Sequence, residues 1–257
     1  MRLVARAALA ALLASVLVGG PAGAGSHARA TGDAEDCDPH IPPSYAPEIL
    51  TGSAATIALD VLVLIDGIER LEAERIVKLA AGSYAPLKVD LKTTFKQADL
   101  STAKTPQVQP NVLIQKAKDL LGGVRPAGID VVYVLTARDL VAPNGMQIAG
   151  YADCTGGVRY PARAFAVGEG VRQSSSIGPF AFYVDDAGKI MAHELGHLLG
   201  GRHDYANCVE GIQLSDVTTS QPTPCTLMTA DTGLMSANFG SLESVVVRGY
   251  AEDYARP

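Results

Sequence analysis

The feature that most constrains this chain is the run HELGHLLGGRHD at positions 193–204. On an α-helix, His193 and His197 lie one turn apart, so both imidazoles face the same point. Glu194 is rotated by about 100° from His193, which places its carboxylate beside that point. The spacing predicts two metal ligands and a neighbouring base on a single helix.

A third histidine follows where this helix has to end. Gly200 and Gly201 predict the end, because glycine adopts left-handed backbone conformations without steric penalty and lets the chain turn back. His203 can then join His193 and His197. Three neutral imidazoles leave a fourth tetrahedral position for water, as in catalytic zinc sites, whereas structural zinc sites are closed. The sequence therefore predicts one catalytic Zn²⁺ held by these three histidines.

The pattern HExxHxxGxxH resembles that of the metzincin zinc metallopeptidases. Asp204, directly after the third histidine, resembles the adamalysin/reprolysin (ADAM-like) branch. The segments 129–136 and 148–154 are similar to a central strand and the edge strand of a reprolysin domain. The resemblance thus spans roughly residues 55–235.

This resemblance implies a mechanism and a place for the substrate. Glu194 would be the general base that activates zinc-bound water as the nucleophile. The substrate would lie extended along an edge strand and add backbone hydrogen bonds to it. The residues expected to form this edge are Gln147, Ile148, Ala149 and Gly150.

A methionine in a tight turn beneath the zinc is a further feature of the family. The sequence CTLM at 225–228 resembles that turn, which makes Met228 the candidate and Met235 the competitor. Filling of gaps in the core would also explain either methionine. Related branches carry a tyrosine ligand two residues after this methionine, whereas this chain has Ala230. Water is therefore expected to complete the zinc site.

Strand and helix patterns alternate through most of the chain. Strands are predicted at 56–65, 87–95, 129–136, 147–152 and 164–167, and helices at 68–82, 113–121, 185–199 and 241–250. Residues 168–178, rich in glycine and serine, are expected to connect the last strand to the zinc helix. Alternation implies parallel pairing with right-handed crossovers. With the resemblance, we predict a zincin-like α+β fold. Its mixed, mostly parallel five-stranded sheet would have an antiparallel edge strand and pack on helices, one carrying HExxH.

The N-terminus predicts export. Arg2 and Arg6 precede an apolar run that is typical of a secretory signal and too short to span a bilayer as a helix. We predict a signal peptide over 1–24, with cleavage after Ala24 or, alternatively, after Ala30. An uncleaved N-terminal anchor is the other reading. Secretion to the extracellular space follows from the signal.

The rest of the chain is predicted to hold one catalytic domain. An extended leader at 25–54 would precede a metallopeptidase domain at 55–257. That domain would divide into an upper subdomain, about 55–204, and a small irregular lower subdomain, about 205–257. The net charge of −6 disfavours nucleic acid and anionic membranes as partners, since both reward clustered Lys and Arg. A monomer without stable membrane association is expected.

Four cysteines in an exported chain favour disulfides over redox chemistry. Cys208 and Cys225 are expected to pair, closing a loop that has little regular structure of its own. For Cys37 two readings stay open. It pairs with Cys154 and ties the leader to the edge-strand region, or its thiolate binds the zinc as a latch. The aspartates on either side of Cys37 oppose a thiolate and favour the disulfide.

The function expected from these patterns is a secreted zinc endopeptidase that hydrolyses internal peptide bonds of proteins or peptides. One alternative is a secreted, zinc-containing binding or toxin-like module that cleaves nothing. Against it stands Glu194, because a purely structural site needs no base. A zinc amidase acting on a small molecule is the weaker alternative. No pattern in the sequence assigns a structural Ca²⁺ site.

Overall fold

The computed structural model describes residues 31–255 except 33, 38, 101–105, 171–172, 178–179, 185 and 214–224. The predicted signal peptide at 1–24 and the residues before both cleavage sites, Ala24 and Ala30, lie outside the described residues. Among the helices that are described, none is long and apolar enough to cross a membrane.

Ten strands and five α-helices are described. The strands are β1 (Ile57–Asp66), β2 (Val89–Gln97), β3 (Gln107–Val108), β4 (Val131–Thr136), β5 (Asp139–Val141), β6 (Gln147–Ile148), β7 (Gly150–Ala152), β8 (Phe165–Glu169), β9 (Gln173–Ile177) and β10 (Phe180–Val184). The helices are α1 (Arg70–Tyr84), α2 (Pro110–Leu121), α3 (Ala187–Leu198), α4 (Cys208–Gln213) and α5 (Ser241–Tyr254).

The main sheet has five strands in the order β2-β1-β4-β8-β7. The first four are parallel to one another, and β7 pairs antiparallel with β8 at the edge. This confirms the predicted fold class, a mostly parallel sheet with one antiparallel edge strand. Helix α1 connects β1 to β2, and α2 lies in the connection from β2 to β4, because neighbouring parallel strands need a crossover connection.

Apolar cores on both faces bury this sheet. Alternate residues of β1 point to opposite faces. Leu59, Val61 and Val63 belong to the core shared with α1, α3 and α5, whereas Leu62 and Leu64 belong to the core beneath α2. Burial on both faces explains why β1 reads as a nearly continuous apolar run. Helix α3, with the HExxH run, thus lies against the sheet on the α1 side.

The segment 147–152 forms two strands, and the prediction of one continuous edge strand is wrong. Gln147 and Ile148 pair with Val141 and Leu140 in a small separate sheet, with the Ile148 side chain buried in the α2 core. The chain then changes sheets at Ala149, whose carbonyl accepts a hydrogen bond from the main chain of β8. Only Gly150 of the four predicted edge residues lies in β7.

Details of the helices and of one connection differ from the sequence patterns. The connection at 168–178 contains a strand, β9, which pairs antiparallel with β10 in a hairpin that extends to Val184. Leu71, Leu79 and Leu242 are exposed, and smaller neighbours such as Ala73 take the buried positions of their helices. Helix α5 has Gly240 at its N-cap position and extends beyond the predicted end to Tyr254.

Candidate active site

Helix α3 holds its histidines by being buried over its whole circumference. Met191, Leu195 and Leu198 pack into the apolar core, as their spacing predicts. His193 and His197 occupy the opposite face and are also buried. A helix that is wedged in this way cannot rotate about its axis without exposing leucine, so packing fixes the direction of both imidazoles.

The turn after α3 brings the third histidine to the other two. Gly200 has φ +81°, the left-handed conformation expected from the sequence, and the amides of Gly200 and Gly201 bond to carbonyls of the last helical turn. His203 then begins a short 3-10 helix. Its Nε2 lies 3.2 Å from His193 Nε2 and 3.1 Å from His197 Nε2.

The tautomers of the two helical histidines are set by backbone carbonyls. His193 Nδ1 lies 2.7 Å from the oxygen of Leu227, and His197 Nδ1 lies 2.8 Å from the oxygen of Gly201. A carbonyl oxygen only accepts, so each Nδ1 carries the proton and donates it. Each Nε2 therefore turns an unshared electron pair towards His203.

This donor set fits a zinc ion. Two nitrogens with converging lone pairs repel each other unless a cation lies between them. For Zn–N bonds of 2.0–2.1 Å and tetrahedral angles, ligand nitrogens would be about 3.3 Å apart, close to the two distances observed at His203. Carbonyl acceptors on the other ring nitrogens are the usual outer partners of zinc-bound histidines. No other group of three or more possible ligand side chains of this type is found in the described part of the chain.

Burial also keeps the histidines in the neutral form that binds metal. Desolvation, followed by the neighbouring imidazoles, lowers the pKa of His193 well below its ordinary value. The same causes, burial first and His203 second, lower the pKa of His197 to about 3. Both rings are ready to act as ligands at neutral pH.

Glu194, the residue directly after His193 on α3, is fully buried. Neither carboxylate oxygen has a hydrogen-bond partner among the described residues, and burial raises the pKa of Glu194 well above its ordinary value. A buried acid without partners is costly for folding alone. Such a group is typical of a catalytic position.

Gly150 makes room for this carboxylate. A Cβ on Gly150 would lie 2.5 Å from Oε1 of Glu194 and 2.7 Å from its Cγ. The acid therefore rests directly on the backbone of edge strand β7. Sequence reasoning assigned Gly150 to the edge but missed this contact, because nothing in a strand pattern shows which helix side chain crosses it.

Met228, and not Met235, packs against the end of the helix that carries His193 and His197. The sulfur of Met228 lies 2.7 Å from the position a Cβ would take on Gly196 and 3.2 Å from that on Gly201. Met235 is buried too, but its contacts are a bridge to Cys225 and a hydrogen bond from Lys189 to its carbonyl. This location supports Met228 as the methionine of the turn.

A buried glutamate behind this turn was missed by the sequence analysis. Glu243 of α5 is fully buried and accepts hydrogen bonds from Thr226, Met228 and Gly240. Burial raises its pKa to about 7, although these hydrogen bonds oppose the change. A glutamate in the first turn of a helix is common on surfaces, so no sequence pattern indicates that Glu243 is buried.

The leader reaches the site, and its cysteine does not. Disulfides join Cys37 to Cys154 and Cys208 to Cys225, the two expected pairings. Cys37 is therefore not a ligand, and the latch reading of this residue is wrong. Upstream of it, the Thr31 hydroxyl lies 3.2 Å from His203 Nε2.

Fold and site together define a zinc metallopeptidase of the zincin kind. The chain belongs to the reprolysin-like metallopeptidase family M12B, whose sequence model matches residues 76–204. This family supports Zn²⁺ as the cofactor of the three-histidine site. No curated protein sequence is matched by the chain.

Two solved structures show the same fold. Archaemetzincin from Methanopyrus kandleri is 22% identical with a TM-score of 0.52, over 76% of this chain and 96% of that one. Metalloproteinase-II from Bacteroides fragilis is 17% identical with a TM-score of 0.50, over 77% of this chain. The match spans only 55% of the Bacteroides protein.

Proposed function

We propose that this protein is a secreted zinc endopeptidase that cleaves internal peptide bonds of proteins or peptides. The observation that carries the proposal is the buried, unpartnered carboxylate of Glu194, which follows His193 on α3 and contacts Gly150 of the edge strand β7. A module that only binds zinc would gain nothing from this acid. The proposed catalytic domain is 55–257, with the residues from about 205 onwards forming its lower part.

Each residue of the site has one task in this proposal. His193, His197 and His203 would hold the zinc, which when bound polarises a carbonyl and makes water more acidic. Glu194 accepts a proton from the attacking water at its carboxylate and passes it to the leaving amine nitrogen. Burial raises the pKa of Glu194, which makes its carboxylate a stronger base towards water. Met228 supports the floor of the site.

The substrate would bind as an extended chain along β7. The Gly150 carbonyl already accepts a main-chain hydrogen bond of 3.1 Å from Gly32, so this edge can pair with an added strand. The contact between Gly150 and Glu194 puts such a strand next to the proposed base. Main-chain pairing of this kind suits an internal segment of a polypeptide, which supports endopeptidase action over cleavage of a small amide.

A Glu194→Gln variant tests the role of the base. The amide has nearly the same size but cannot accept the proton, so we expect unchanged zinc content and a fall in turnover of about 100-fold or more. Zinc would be measured by elemental analysis and turnover by casein and peptide digestion, with and without chelator. The control is Glu74→Gln, since Glu74 is exposed on α1 and paired with Arg70.

The outcomes separate the alternatives. Wild-type turnover in Glu194→Gln would refute the role of Glu194 as base, and loss of zinc would make it a ligand instead. Bound zinc in the wild-type protein without cleavage of any peptide would favour the binding module.

Export has its own measurement. Two disulfides are compatible with an oxidising compartment. We expect the chain in the culture medium to begin at Gly25 or Thr31 by intact mass. A full-length chain that stays with the cells would contradict secretion.

A further inference from the structure

The leader places a hydroxyl group beside the third histidine. Thr31 Oγ1 lies 3.2 Å from His203 Nε2. The same residue is held to Ala230, whose carbonyl accepts hydrogen bonds from the Thr31 amide at 2.9 Å and from its hydroxyl at 3.3 Å. Thr31 is only 4% exposed. The start of the described chain is therefore buried in the site itself.

The next residue occupies the edge where a substrate would pair. The Gly32 amide donates to the Gly150 carbonyl at 3.1 Å. A Cβ on Gly32 would lie 2.8 Å from Cδ2 of Tyr151, so the backbone lies flat against β7. An incoming peptide has to compete with Gly32 for this carbonyl.

Beyond Gly32 the leader is firmly anchored. The Thr155 amide donates to the Glu35 carbonyl at 2.7 Å, and the Cys37 amide donates to the Thr155 carbonyl at 3.2 Å. Asp36 pairs with Arg202 at 2.9 Å, and the disulfide joins Cys37 covalently to residue 154. We call the described residues of this segment, 31–32 and 34–37, the strap.

We propose that the strap is a built-in ligand of the substrate cleft and lowers the affinity of the enzyme for peptides. The inference deepens the proposed function and rests on it. A covalent anchor a few residues away gives a tethered segment an effective concentration in the millimolar range. A neutral hydroxyl is a weaker zinc ligand than a thiolate. The strap therefore competes with substrates and does not abolish their binding.

The test measures access to the cleft without turnover. A peptide hydroxamate, which binds zinc, is titrated by calorimetry into zinc-loaded protein that carries Glu194→Gln. Adding Gly32→Val should displace the strap through the clash with Tyr151 and tighten hydroxamate binding about tenfold or more. Thr31→Ala should tighten it less. Thr51→Ala, an exposed leader threonine, is the matched control and should change nothing.

Each outcome decides the matter. If Gly32→Val binds the hydroxamate no more tightly than the protein with the native Gly32, at equal zinc content, the strap does not compete for the cleft. This result is independent of whether the protein cleaves peptides, because binding needs only zinc and an open edge. Failure of the proposed function would instead appear as absent cleavage with the strap displaced.

A second observation carries a separate inference about Glu243. Its Oε1 accepts from the Thr226 hydroxyl at 2.5 Å and from the Met228 amide at 3.3 Å. These two residues flank Leu227, whose carbonyl accepts the Nδ1 proton of His193. One carboxylate thus holds both sides of the peptide that orients a zinc ligand.

We infer that Glu243 is a positioning residue for His193. Its other oxygen accepts from the Gly240 amide at 2.7 Å, so the carboxylate ties the start of α5 to the turn at 226–228. Loss of an outer partner of a metal ligand commonly weakens metal affinity 10- to 100-fold. Glu243→Ala removes the support of that partner and not the partner itself, so it should weaken zinc binding by about 10-fold, the lower end of that range. Glu243→Gln should restore part of the affinity because the amide oxygen still accepts.

A neighbouring glutamate provides the control. Glu210 accepts from the Ser241 amide at 2.7 Å at the same helix end, and the structure shows no contact between it and the zinc ligands. Glu210→Gln should lower the melting temperature without changing the zinc dissociation constant. Zinc affinity would be measured for Glu243→Gln and for the folded fraction of Glu243→Ala. If both bind zinc as tightly as the wild type, Glu243 has only a structural role.

Discussion

The two halves of the zinc site are held by different forces. His193, Glu194 and His197 take their places from α3, which apolar side chains wedge against the sheet. His203 and Met228 lie in segments with little regular structure. A left-handed glycine, hydrogen bonds and the Cys208–Cys225 disulfide hold that second half.

This difference has an energetic meaning. Apolar burial is non-directional and tolerates small shifts, whereas hydrogen bonds specify the position of individual atoms. The helical half should therefore resist loss of single contacts, and the irregular half should lose its geometry first. The variants below are ordered by expected effect.

Removal of His203 should have the largest effect. His203→Ala deletes the one ligand outside α3, and zinc affinity should fall by more than about 100-fold, beyond the effect of losing an outer partner. The helical half should keep its fold, measured by circular dichroism, while a competition assay with a chelator measures affinity. His40→Ala is the control. Retained zinc affinity in His203→Ala would mean that the two helical histidines suffice.

Acidification should act on the helical half. Burial lowers the pKa of His197 to about 3 and also lowers that of His193, so below about 6.5 the unfolded chain binds more protons than the folded one. Stability of the zinc-free protein should fall as the pH drops from about 6.5 towards 3, and zinc should leave over the same range. Unfolding by urea at several pH values measures this. Constant stability across that range would contradict neutral, buried histidines.

Leu195→Ala should cost about 3 kcal/mol of unfolding free energy, because it opens a cavity beneath α3. The zinc affinity of the folded fraction should remain near that of the wild type. Leu71→Ala, on the exposed side of α1, should stay within about 0.5 kcal/mol of the wild type. A large loss of zinc affinity at constant folding would show that packing also sets ligand geometry.

The double variant Cys208→Ser/Cys225→Ser should cost about 2–3 kcal/mol, since the closed loop is short. Unlike Leu195→Ala, it should also weaken zinc binding several-fold, because Cys225 precedes the turn that holds His193. Urea unfolding and zinc competition are compared for both variants. Equal zinc affinities in Leu195→Ala and the double cysteine variant would contradict the distinction between the helical and the irregular half of the site.

The same distinction explains how far the sequence could predict the structure. The four parallel strands of the main sheet and helix α3 follow from apolar patterns and the HExxH spacing. Individual hydrogen bonds between residues far apart in the chain determine three other features. These are the change of sheet at Ala149, the burial of Glu243 and the position of Thr31. Such contacts leave no period in the sequence, so they were missed.

The missing side chain at Gly150 has a consequence for where a peptide would be cut. Under the proposed function, one residue both pairs with the substrate backbone and supports the carboxylate of Glu194. Gly150 then positions both the substrate backbone and the carboxylate that transfers the proton. A peptide that slips by one residue turns its side chains to the other face and presents a different bond to the base. Main-chain pairing at Gly150 would thus determine which peptide bond is cleaved. Side-chain pockets would only add a preference among the residues around that bond.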